Sequence, residues 1–142
     1  MNIAVRYYSR TGNTKNLALA IAEELNVQAE NLSSPLTEKA DVLFLGSAIY
    51  ASKIDDEVKR FIKENKDNIG IIYNFSTAAS PSSTYKKVKK LAKENGIAIS
   101  EKEFRCRGKF LFLNKNRPNE KDLQNARQFA RNVLQETNNE LI

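Results

Sequence analysis

The residues with the most distinctive chemistry are Ser9-Arg10-Thr11-Gly12-Asn13-Thr14, where three hydroxyls flank one glycine. Hydroxyls donate hydrogen bonds, and a glycine lets the backbone turn tightly around an anion. Where such a turn opens a helix, the free N–H groups and the positive end of the helix dipole join the donor set. Phosphate is the ligand that this set favours. Two other phosphate loops are excluded, because the chain contains neither G-x-x-x-x-G-K-[ST] nor G-x-G-x-x-G. The plainer alternative is a Ser or Thr capping an ordinary turn. Three hydroxyls around one glycine exceed what a cap requires.

Two further segments carry candidates. Ile49, Tyr50, Ala51 and Ser52 follow a strongly apolar run, and the face of Tyr50 suits a flat heterocycle. Ser76, Thr77, Ala78, Ala79 and Ser80 follow another such run, and their small side chains let backbone N–H and C=O groups approach a ring edge. The chain has no histidine and one cysteine, Cys106. Ser-His-Asp and Cys-His catalysis, histidine-based zinc or haem sites and an internal disulfide are therefore excluded. Cys106, between Arg105 and Arg107, reads as a small buried hydrophobe. No side chain is assigned a catalytic or metal-binding role, so redox chemistry requires a bound cofactor.

The pattern of apolar residues predicts the elements that position these segments. Ile3 to Tyr8 reads as a strand, and Leu17, Ala18, Ile21, Ala22 and Leu25 as one face of a helix. Val27 to Leu32 is a short second strand. Asp41 to Gly46 is a third, apolar enough for a parallel sheet covered on both faces. Ile54, Val58, Phe61 and Ile62 mark a second helix, Ile69 to Phe75 a fourth strand, and Tyr85, Val88, Leu91 and Ala92 a third helix ended by Asn95-Gly96. A less regular fifth strand covers Ile97 to Phe104, with alternation continuing past Cys106, and Arg107-Gly108-Lys109 separates it from the apolar run Phe110 to Leu113. A last helix follows Asn119, its N-cap, and frays from Glu136. Strands alternating with helices imply right-handed parallel crossovers in one α/β domain spanning 1–142.

With its strand–loop–helix setting, [ST]-x-T-G-x-T, carried by Ser9, Thr11, Gly12 and Thr14, resembles the FMN-phosphate loop of the flavodoxin family. The resemblance extends along the chain in its short form, without an insertion in the fifth strand. Phe104 to Lys109 and Arg117-Pro118-Asn119 are similar to the C-terminal segment of small flavodoxin-domain proteins. It implies a doubly wound, flavodoxin-like three-layer sandwich. The five-stranded parallel sheet would run 2-1-3-4-5 with helices on both faces, and FMN would sit between strands one and three. The site then comprises Ser9 to Thr14, Ile49 to Ser52 and Ser76 to Ser80. Relatives usually carry a second aromatic in the later loop, but Ser76 to Ser80 has none. This implies a more open ring face, with weaker FMN binding or room for a flat substrate such as a quinone. Relatives also commonly carry a glycine near Tyr50, where Ala51 and Ser52 stand here. A less stabilised one-electron-reduced flavin is expected.

The net charge is +6, whereas typical flavodoxins are acidic. Lys86, Lys87, Lys89, Lys90 and Lys93 crowd one helix, whose plain reading is a solvated face. The functional alternative is a surface for an acidic redox partner. Nucleic acid is not expected, because no basic groove interleaved with aromatics is present. No run of residues is long and apolar enough to span a bilayer, so a cytoplasmic monomer is expected. The primary expectation is an FMN-binding electron-transfer protein. The alternatives are an FMN-dependent reductase of a quinone or similar acceptor, and a flavodoxin-like binding module for an acidic protein.

Overall fold

The structure is a computed structural model and describes residues 1–140. Its strands are β1 (Ile3–Tyr7), β2 (Ala29–Asn31), β3 (Ala40–Ala48), β4 (Ile69–Ala78), β5 (Ala98–Ile99) and β6 (Phe104–Arg107). Its α-helices are α1 (Asn13–Leu25), α2 (Asp56–Asn65), α3 (Tyr85–Glu94) and α4 (Glu120–Glu140). The sheet runs β2-β1-β3-β4-β5, with β6 also pairing with β4. All these pairings are parallel. The predicted order 2-1-3-4-5 is the observed one.

Alternation along β3 explains why helices cover both faces. Val42 and Phe44 join Val5, Tyr7, Phe75 and residues of α1 and α4 in one buried cluster. Leu43 and Leu45 join Ile72, Val58, Phe61 and Val88, from β4, α2 and α3, in the other. Period-two side chains on a doubly covered strand produce the continuous apolar run seen in the sequence.

The expected fifth strand, Ile97 to Phe104, is interrupted. Ile99 pairs with Ile72 and Phe104 with Phe75; Ser100 N still donates to Ile72 O, and Glu101 to Glu103 bulge out of the ladder. The charges of Glu101, Lys102 and Glu103 favour that exit, because a covered strand could not solvate them. Glu103 instead accepts a hydrogen bond from the Ser83 hydroxyl at 2.8 Å. The apolar run Phe110 to Leu113 forms a tight turn, in which Phe110 N donates to Leu113 O and Leu113 N to Phe110 O. The last helix also does not fray at Glu136. It continues to Glu140, and residues 141–142 lie outside the described part.

One register row crosses the sheet where β1 and β2 end, β3 and β4 run two and three residues further, and β6 begins. Asn31, Tyr7, Gly46, Phe75 and Phe104 stand side by side. A Cβ built on Gly46 would lie 2.2 Å from the Phe75 ring, so the glycine makes room for that ring. The loops beyond this row carry the candidate site.

Candidate functional site

α1 begins in an unusual way for this chain. Its N-cap is Gly12, with φ +93°, no side chain caps it, and its first turn holds no acid. The Asp55 and Asn119 side chains close α2 and α4, and the Thr84 N-cap of α3 makes no side-chain capping bond, although Ser83 before it takes the first N–H. Asp55 accepts from Glu57 N, Ser83 Oγ from Tyr85 N, and Asn119 Oδ1 from Asp122 N. In α1 the first helical bond runs from Asn16 N to Gly12 O, which leaves the N–H groups of Asn13, Thr14 and Lys15 without an intrahelical acceptor. Ser9 Oγ accepts from Gly12 N at 2.9 Å and shapes the turn.

Beside this turn lies a cleft of about 560 Å³. It is formed by Arg10, Thr11 and Asn13, by Ala48 to Ser52, by Thr77 to Ser80 with Ser82, and by Gly108 to Phe110 with Leu113. Its size suits a cofactor or a small molecule. Three segments predicted as binding loops therefore do converge. Four predicted residues stand behind the cleft wall: Ser9 and Gly12 shape the turn, while Thr14 and Ser76 are fully buried. The Thr14 hydroxyl lies 2.9 Å from that of Thr77 and ties α1 to β4. Ser76 Oγ accepts from Thr84 N on the opposite side of the strand, at 3.4 Å.

Tyr50 already has a partner. The Arg10 guanidinium lies 4.3 Å from its ring centroid, Arg10 N donates to the Tyr50 hydroxyl, and Asp55 holds the guanidinium at 2.9 Å. The Glu57 N–H, followed by Arg10, keeps the Asp55 carboxyl below the ordinary range. Ala51 and Ser52 both take positive φ, +50° and +64°, between Tyr50 and Lys53, whose backbones exchange two hydrogen bonds. This two-residue turn favours glycine and asparagine, so it carries conformational strain at the cleft edge.

Sequence reasoning missed the wall formed by Gly108, Lys109, Phe110 and Leu113. A Cβ on Gly108 would meet the Asn13 side chain at 2.7 Å, and that close approach lets Asn13 Nδ2 donate to Lys109 O at 2.8 Å. Gly108 N donates to Ala78 O, and Asn114 Nδ2 donates to Ala79 O and Gly108 O. The isolated glycine after a strand was the available signal, because such a residue marks close backbone approach. The cleft lining contains no carboxylate and no thiol. Cys106 lies outside it on β6, and burial pushes its thiol up to about 12, so it stays protonated and unreactive.

The same segment is locked behind the cleft. Arg117 grips Asp122 through two hydrogen bonds, at 2.6 and 2.7 Å, and Asn119 N donates to the same carboxylate. Burial pushes the Asp122 carboxyl up. The Arg117 bonds and charge, the Asn119 N–H and the Lys121 charge outweigh it and leave the net shift downward. A depressed carboxyl contributes stability above its unfolded value, near 3.9, and loses it as pH falls through the folded value. The thermal midpoint should therefore drop below about pH 4. Asp122→Asn should remove that acid component and cost about 2 kcal/mol at neutral pH. Melting curves across pH check both.

The α3 lysines are not a bare cationic face, since Lys87 and Lys90 share a surface cleft with Asp55, Asp56 and Glu94. No helix among the described residues is long and apolar enough to cross a membrane.

The chain is similar to known proteins along most of its length. A flavodoxin domain matches residues 4–112. An uncharacterized protein of Methanocaldococcus jannaschii is 32% identical over 136 residues, covering 86% of this chain and 90% of that protein. Among solved structures, a flavodoxin from the domain Archaea superposes with a TM-score of 0.77 at 21% identity, covering 96% of this chain and 98% of that one. Oxidised flavodoxin 1 of Bacillus cereus gives 0.72 at 19%, with 95% and 98% covered. Rubredoxin oxygen:oxidoreductase of Desulfovibrio gigas gives 0.73 at 15%, covering 99% of this chain but 37% of that one. These structural likenesses show the fold, and the domain match identifies the chain as a member of the flavodoxin family.

Proposed function

We propose that this chain binds FMN in the cleft above α1 and works as an electron carrier between proteins. FMN supplies one- and two-electron redox chemistry when bound. The observation that carries the reading is the uncapped start of α1, with three N–H groups free of intrahelical partners beside a cleft of cofactor size. The N–H groups of Asn13, Thr14 and Lys15 and the Thr11 hydroxyl would hold the phosphate. Ile49 to Ser52 and Thr77 to Ser80 would flank the isoalloxazine, with backbone groups of Ala78 and Ala79 at its edge. Tyr50 would give the ring one wall, either on the face free of Arg10 or by displacing that guanidinium.

Phe110 and Leu113 would give the other wall. Both line the cleft and are 47% exposed, as expected of apolar groups that a ligand covers. They occupy the space that the sequence left open for a flat substrate, which favours the carrier over a quinone reductase. A cytoplasmic, single-domain monomer with protein redox partners accords with this role. The deciding measurement is the visible spectrum of the purified protein. A yellow protein that releases FMN on denaturation is expected. A colourless protein that also fails to take up added FMN would refute the reading.

A further inference from the structure

The turn Phe110 to Leu113 has a second side that the cleft does not use. Leu111 and Phe112 are 72% and 76% exposed, more than any other large apolar side chain among the described residues. Neither lines the cleft. Leu111 holds φ +53°, a conformation that non-glycine residues, and bulky ones above all, rarely adopt. Strain at an exposed apolar residue points to a use for its side chain.

The turn is also rigid. Its ends exchange two backbone hydrogen bonds, and its base is fastened by Asn13 to Lys109 O, by Asn114 to Ala79 O and Gly108 O, and by Lys109 N to Arg117 O. It is a held prong, not a loose loop. The charge along this segment has one sign. From Phe104 to Asn119 the chain carries Arg105, Arg107, Lys109, Lys115 and Arg117 and no acid. Arg117 is paired with Asp122, and the other four remain for a partner.

We propose that Leu111 and Phe112 form a docking prong for an acidic protein, which receives the two side chains in an apolar depression ringed by carboxylates. Apolar centres with charged rims are how such interfaces combine affinity with steering. A partner so seated lies next to the cleft, because Phe110 and Leu113 of the same turn line it. This placement rests on the proposed carrier function, but the docking itself does not require FMN. An anionic membrane would also attract a basic apolar tip. Two side chains bury less apolar surface than a single myristoyl chain, which by itself binds membranes only marginally, so a protein partner is favoured.

The test uses an acidic [2Fe–2S] ferredoxin as probe and a basic cytochrome c as control. Each is titrated calorimetrically against the protein as purified and again with FMN added. Ferredoxin should bind with an affinity that falls as salt rises, and cytochrome c should not bind. Leu111→Asn with Phe112→Ser, in which asparagine accepts the left-handed conformation, should weaken ferredoxin binding at least about tenfold. Lys115→Glu should weaken it further, and FMN uptake should not change. No ferredoxin binding, equal binding by the double variant, or preference for cytochrome c overturns the proposal. So does a double variant that loses only binding to phosphatidylglycerol vesicles, which would assign the prong to a membrane. Failure to take up FMN while ferredoxin docking persists would refute the cofactor reading and leave the prong standing.

Discussion

Riboflavin is expected to bind this protein at least 100-fold more weakly than FMN, although the two share the same ring. The difference is one phosphate, and the proposed donors for it are the N–H groups at the start of α1 and the Thr11 hydroxyl. A hydrogen bond to a charged group contributes about 1.5–3 kcal/mol, so losing two costs about 3 kcal/mol or more. About 1.4 kcal/mol corresponds to a tenfold change in affinity. Thr11→Ala should lower FMN affinity about tenfold and leave riboflavin unchanged. Gly12→Ala is a cleaner test of loop geometry. A Cβ there meets nothing within 4 Å, so the substitution acts only through the φ of +93°. It should cost about 1–2 kcal/mol of stability and weaken FMN selectively. Fluorescence quenching with both flavins measures each effect. Equal affinity for FMN and riboflavin would place the phosphate elsewhere.

Gly46→Ala is expected to cost about 3 kcal/mol of stability, a large effect for one methyl group. The new Cβ would fall 2.2 and 2.4 Å from two atoms of the Phe75 ring, which is itself fully buried. The ring cannot withdraw without disturbing its neighbours, because Tyr7, Phe44 and Phe129 belong to the same packed region. Gly46 and Phe75 also sit two residues before Ala48 and Thr77, which line the cleft, so a displaced ring would shift that wall. Flavin affinity should therefore fall together with the unfolding midpoint. Gly46→Ala paired with Phe75→Leu should recover part of the stability, since the smaller side chain leaves room. Chemical denaturation of the single and double variants tests this. No recovery would mean that the backbone, not the ring, is the obstacle.

Much of this architecture was legible because burial imposes simple periods. The continuous apolar run of β3 and the three-and-four spacing of α1 each had one natural reading, and both elements stand where expected. The Asn119 cap was equally plain, and it appears with Asp122 returning the bond to Asn119 N. The failures share a cause. Phe110 to Leu113 is a continuous apolar run with no local turn signal, and the base of its turn is held by tertiary partners such as Asn13 and Asn114. Likewise the sequence did not show that the Thr14 hydroxyl bonds that of Thr77, a partner 63 positions away. Arg10 on Tyr50 is a third case, since nothing local links a loop cation to an aromatic in another loop. Local pattern thus revealed the elements and the loops at their ends. The side-chain partners within those loops depended on distant contacts.

The interruption between β5 and β6 bears on how the molecule behaves in a crowded solution. A sheet ends in rows of backbone groups that another chain's strand can pair with, and long flat borders invite that pairing. Here one border is β2, three residues long, and the other is broken into pieces of two and four. The break holds Glu101, Lys102 and Glu103, whose charges an incoming strand would have to desolvate. Neither border offers a run long enough to template a fibril or a swapped strand. The irregularity that made the fifth strand hard to read also works against self-association.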